Sequence, residues 1–128
     1  MMNSYSQNAP VVLLVEDEPL VRMAAADDLQ EAGFHVLEAG NADVALAVLE
    51  SCSDDVQVLF TDIDMPGSMN GLDLAENVQQ RWPHISLLIS SAYHRPSPAQ
   101  LPDDGRFVSK PYCSDQIVQQ IRELVTSH

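Results

Sequence analysis

Five short apolar runs punctuate the chain, at 11–16, 34–39, 56–61, 85–91 and 106–109. Several are unbroken, such as Val11 to Val15 and Val58 to Phe60, as expected of strands buried on both faces in a parallel sheet. The segments between them carry helical spacing. Val21, Ala25, Leu29 and Ala32 mark one apolar stripe, with Pro19 suited to its first turn and Gly33 to its stop. Ala42, Ala45, Leu46 and Leu49 mark a second behind Asn41, a good N-cap. Leu74, Ala75, Val78 and Trp82 mark a third, ended by Pro83. Ile117, Ile121, Leu124 and Val125 mark the last, with Ser114 expected as its N-cap. The fourth crossover breaks the rhythm: Pro96, Pro98 and Pro102 interrupt it, so the fourth helix is expected to be shortened or replaced by a Pro-rich loop with one helical turn at 97–101.

Strands that alternate with helices imply right-handed βαβ units and an α/β, doubly wound, five-stranded parallel sheet. In such sheets ligands gather at the carboxyl ends of the strands. Three apolar runs end abruptly in charge at that edge: the first in Glu16-Asp17, the third in Asp62, the last in Lys110, the only lysine of the chain.

At 128 residues the chain has the size of one domain, divided by its pattern into a flexible leader at 1–10 and a folded unit at 11–127. Its formal charge of −13 repels phosphate backbones, so a nucleic-acid partner is not expected. No apolar run approaches the length of a membrane span, and the leader lacks the basic and apolar regions of a signal peptide. Cys52 and Cys113 fit no metal spacing and read as reduced thiols. The expected location is the cytoplasm.

Glu16, Asp17, Asp62 and Asp64 are hard oxygen donors. Carboxylates crowded without a cation repel one another, and Mg²⁺ or Mn²⁺ relieves that conflict. An aspartate beside such a metal can accept a phosphoryl group as an acyl phosphate. Lys110 supplies an ammonium to the transferring oxygens, and Ser91, at the end of the fourth run, a hydroxyl; Ser90 is nearly as good a candidate. Any one of these residues alone is more often a turn residue, a cap or a solvated charge. Their joint occurrence at one sheet edge points to a site.

Four ordered motifs, LLVEDE at 13–18, VLFTDIDMPG at 58–67, LLISSA at 87–92 and FVSKPY at 107–112, resemble the receiver domain of two-component response regulators. The resemblance implies a flavodoxin-like sheet of order 2-1-3-4-5. It makes Asp62 the phosphoacceptor, and Glu16, Asp17, Asp62 and the backbone carbonyl of Asp64 the metal site. It also makes Ser91 the switch hydroxyl and Lys110 the phosphate partner before a cis proline, Pro111. Phe107 resembles the aromatic that swings inward on activation, and Tyr93 and Asp64 stand where acyl-phosphate lifetime is tuned. Phe107 reads equally well as a core residue, and Tyr93 better as a loop aromatic packed over Pro96 or Pro98.

The chain departs from the family pattern in three places. Glu16 replaces the commoner Asp, the loop from Asp62 to Gly71 is one residue longer, and the Pro-rich stretch takes the place of the fourth helix. The expected function is that of a single-domain response regulator that is not an enzyme in its own right. Its partners would be a histidine kinase or histidine phosphotransfer protein and a downstream protein target, with no membrane. The competing readings are a haloacid-dehalogenase-like aspartyl phosphatase and a pseudo-receiver that binds partners without phosphorylation. An excised receiver from a hybrid kinase is a closely related possibility.

Overall fold

The computed structural model describes residues 9–67, 69–102 and 105–126. The segment 1–8 of the expected leader lies outside the described residues. Five strands, β1 (Val11–Val15), β2 (His35–Ala39), β3 (Val58–Asp62), β4 (Ser86–Ser91) and β5 (Arg106–Ser109), form one parallel sheet of order β2-β1-β3-β4-β5. Four α-helices, α1 (Pro19–Glu31), α2 (Ala42–Cys52), α3 (Gly71–Arg81) and α4 (Ser114–Thr126), and a short 3-10 helix at Ser53–Asp55 complete the described fold. The doubly wound, flavodoxin-like arrangement and its strand order are as expected.

Alternation along the strands builds two cores. Leu13, Val15, Leu59, Leu87 and Ile89 face α2 and α3, where Ala45, Leu49, Leu74 and Val78 cover them. Val12, Leu14, Phe60, Leu88 and Val108 face α1 and α4, against Leu29, Ile117 and Ile121. Successive side chains point to opposite faces, so an uninterrupted apolar run serves both layers.

Local signals account for most helix ends. Pro19 occupies the first turn of α1, and Gly33 follows its end with φ +99. The Asn41 side chain accepts from Val44 N at 2.8 Å. Asn70 and Asp73 form a reciprocal capping box at the start of α3, and Trp82 closes that helix by donating to the Val78 carbonyl at 2.7 Å. Ser114 is not outside α4 as a cap. It is the first helical residue, and Ile117 N reaches back to the Cys113 carbonyl at 3.3 Å.

The fourth crossover contains no helix among its described residues. The expected helical turn is a hydrogen-bonded turn, in which Gln100 N donates to the Ser97 carbonyl at 2.9 Å and Ser97 N to Gln100 Oε1 at 2.8 Å. Pro98 and Pro102 bracket too few residues to propagate anything longer. Both cysteines are free thiols, and no described helix is long and apolar enough to cross a membrane.

Candidate functional site

Three strand ends converge at the carboxyl edge of the sheet. Glu16 follows β1, and its backbone N donates to the Ala39 carbonyl at the end of β2. Its own carbonyl accepts from Arg22 Nη1 at 2.8 Å, so α1 braces the turn that carries the acidic pair. Asp62 closes β3 and is buried. Gly71, the first residue of α3, lies hard against it: a Cβ there would overlap the Asp62 carbonyl oxygen. Lys110 leaves β5 through a cis peptide to Pro111, with its backbone N donating to the Ser91 carbonyl at 2.9 Å.

The side chains meet. Lys110 Nζ lies 2.8 Å from Glu16 Oε1 and 3.1 Å from Asp62 Oδ2. Glu16, Asp17 and Asp62 each present a carboxylate oxygen within 4.8 Å of the others. Burial pushes the Glu16 carboxyl up, against the lowering effect of its hydrogen bonds from Lys110 and Glu18 N. Burial likewise raises Asp62, against hydrogen bonds from Asp64 N and Lys110. Burial alone would lower the Lys110 ammonium, but its bonds to both carboxylates outweigh that and hold it above its ordinary value. One ammonium paired with two of three clustered acids leaves an excess of negative charge at a partly desolvated spot. That donor set, all hard oxygens, fits a Mg²⁺ or Mn²⁺ ion held by Glu16, Asp17 and Asp62.

The fourth strand end carries a second cluster of polar contacts. Ser91 Oγ donates to Asp64 Oδ2 at 2.7 Å and accepts from Tyr93 N at 3.1 Å and His94 N at 2.9 Å. The Asp64 side chain thus joins Ser91, and His94 Nδ1 lies 2.7 Å from its other oxygen. Asp64 N donates to Asp62 Oδ1 at 3.2 Å. Tyr93 is 84% exposed, so neither neighbouring proline covers it. Phe107 is half-buried in β5 and packs against the core on the α2–α3 face.

His94 and Arg22 escaped the sequence reading. Nothing local marks either: His94 meets Asp64 across thirty positions of chain, and Arg22 is one of several polar residues on an exposed helix face. Gly71 carried a usable signal, since a glycine opening a helix three residues before Leu74 has no local reason to be there.

The sequence pattern of the response regulator receiver domain matches residues 12–122. The chain belongs to that family. It is 33% identical over 117 residues to the sensor kinase CckA of Brucella abortus, a match that covers 89% of this chain and 12% of the kinase. The response regulator receiver protein CpdR of the same species is 26% identical over 117 residues, with 89% of this chain and 95% of CpdR covered. Among solved structures, a response regulator receiver protein from Sinorhizobium medicae superposes with a TM-score of 0.87 at 22% identity, covering 94% of this chain and 98% of that one. The chain spans only 12% to 25% of the length of several curated relatives. Receiver domains of this family act in two-component signalling and bind Mg²⁺ through an acidic pocket, and the described residues hold an acidic cluster in Glu16, Asp17 and Asp62. Neither the phosphatase nor the pseudo-receiver reading is favoured by these likenesses.

Proposed function

We propose that Asp62 accepts a phosphoryl group from the phosphohistidine of a histidine kinase or histidine phosphotransfer protein, in a reaction that depends on Mg²⁺ or Mn²⁺. The observation that carries this reading is the meeting of three carboxylates within 4.8 Å with the Lys110 ammonium 3.1 Å from Asp62. Asp62 Oδ attacks phosphorus, an O–P bond forms, and the P–N bond breaks with its electron pair leaving on the imidazole nitrogen. Glu16, Asp17 and Asp62, with the Asp64 backbone carbonyl, would hold the metal, which when bound neutralises charge on the phosphoryl oxygens. Lys110 is in reach of the same oxygens, because its Nζ already touches the carboxylate that receives the group. Ser91 would donate its hydroxyl to the product once that proton is released from Asp64.

The surface beside Asp62 suits such a donor. Leu20, Val21, Tyr93 and Tyr112 line a groove that opens onto Asp62 and Lys110, and Leu20 is 79% exposed. An apolar helical surface that presents a phosphohistidine would cover these side chains and exclude water from the transfer. The response passes to a downstream protein by conformational change, with Phe107 and Tyr93 as reporters, or the domain serves as a phosphoryl shuttle or sink. The receiver unit spans 11–127 and works in the cytoplasm.

Incubation with Mg²⁺ and acetyl phosphate tests the proposal by intact mass. The expected result is one phosphoryl group per chain, lost in Asp62→Asn and when EDTA is present. No mass gain, or a gain that survives Asp62→Asn, overturns it.

A further inference from the structure

Ser91 has one proton and two lone pairs to offer, and all three are engaged. The proton lies on the line to Asp64 Oδ2 at 2.7 Å, while the oxygen takes the backbone N–H groups of Tyr93 and His94. The other Asp64 oxygen is held by His94 Nδ1 at 2.7 Å. A closed ring results: Ser91 hydroxyl, Asp64 carboxylate, His94 ring, His94 backbone N–H and Ser91 again. It ties the loop after β3 to the first residues of the Pro-rich segment after β4. The Asp64 side chain is 23% exposed, so its bonds are partly shielded from competing water.

We infer that Asp64 and His94 are positioning residues that latch the Ser91 proton away from Asp62, and that phosphorylation must win this proton from the Asp64 carboxylate. The inference rests on the reading of Asp62 as phosphoacceptor and Ser91 as its hydroxyl partner. A phosphoryl oxygen on Asp62 is a stronger charged acceptor than Asp64, and Ser91 cannot serve both. When Oγ turns, the N–H groups of Tyr93 and His94 follow their acceptor or lose it. One exchanged hydrogen bond is thereby passed to the start of segment 92–102, where the described residues contain no helix to report it. His94 stiffens the latch by fixing the Asp64 carboxylate. Only the Asp64 side chain takes part, so its backbone carbonyl stays available to a metal.

Beryllofluoride with Mg²⁺ serves as the phosphoryl probe, read by binding titration and by the amide resonances of Tyr93 and His94. Asp64→Ala is expected to bind the probe roughly tenfold more tightly than wild type, the size of one charge-assisted hydrogen bond. Its Tyr93 and His94 amides should already lie, without probe, near the positions they take in the probe-bound wild type. His94→Ala should move the Tyr93 amide part of the way, and His94→Gln, which can still donate to Asp64, should restore the wild-type position. Mg²⁺ affinity measured alone for each variant separates metal effects from the latch. Unchanged affinity in Asp64→Ala overturns the latch, and so does tighter binding with unmoved amides, which reports lost charge alone. If wild type fails to bind the probe, or Asp62→Asn binds it equally well, the phosphoacceptor reading falls and the latch with it.

Discussion

A Cβ added at Gly71 would lie 2.7 Å from the carbonyl carbon of Asp62 and 2.8 Å from the Ile63 Cα. Both neighbours are backbone, so the contact cannot be relieved by a side-chain rotation. In an unobstructed helix, Gly→Ala gains up to about 1 kcal/mol. Here the overlap wins, and Gly71→Ala is expected to destabilise the fold by about 1–3 kcal/mol, the usual range for forced overpacking. Urea unfolding checks this, and a stabilised variant would refute the close approach. Lys110→Ala acts through charge instead. It leaves the buried Glu16 and Asp62 without their shared ammonium, and the bound dication then has more repulsion to relieve. The rise in melting temperature on adding Mg²⁺ should therefore be larger in Lys110→Ala than in wild type, while the conformational response to phosphorylation is weakened. An equal or smaller rise, measured by thermal denaturation with and without the ion, contradicts the first expectation.

At the scale of elements, β5 and α4 are joined at the sheet edge by Arg106, whose Nη1 donates to Glu123 Oε1 at 2.6 Å and to Gln120 Oε1 at 3.0 Å. The hydrogen bond from Arg106, followed by that from Gln119, lowers the Glu123 carboxyl below its usual range. A carboxyl lowered in the folded state adds stability above its unfolded pKa and loses it as pH falls through the folded value. Glu123→Gln should therefore be less stable than wild type at pH 7, with the gap closing below about pH 4. The pair is exposed to solvent, so the same gap should narrow at high salt. Urea midpoints at both pH values and two salt concentrations test this; a gap that does not depend on pH rules the pair out. The same elements show what a sequence reveals. Strands, three crossover helices and the charged strand ends follow from local rules, because apolar period, caps and Pro19 or Gly33 act over a few residues. The Pro-rich crossover was legible as a helix failure with a single turn at 97–101, but the side-chain bond from Ser97 N to Gln100 Oε1 that closes the turn has no local signature. The ring through Ser91, Asp64 and His94 was invisible: the Asp64 side chain was free to face solvent until β3 and β4 paired and brought the two loops together.

For the whole molecule, charge dominates. Nineteen acidic residues against six basic ones give −13, and the sheet topology concentrates three of those acids at one point. Diffuse surface repulsion responds to any salt, whereas a built site responds to a cation that fits it. The two can be separated by linkage. An ion that binds only the folded state at a hundred times its dissociation constant stabilises by about 2.7 kcal/mol. For a domain of this size that corresponds to roughly 10 °C in melting temperature. Mg²⁺ at saturating concentration should produce a rise of that order, and NaCl at matched ionic strength only a small part of it. Glu16→Gln combined with Asp17→Asn should retain the NaCl response and lose most of the Mg²⁺ response, because these substitutions keep the shape of the site but remove two of its three charges. If NaCl reproduces the full effect, or the double variant still responds to Mg²⁺ as wild type does, the ion acts on the surface as a whole and the cluster of Glu16, Asp17 and Asp62 does not hold it.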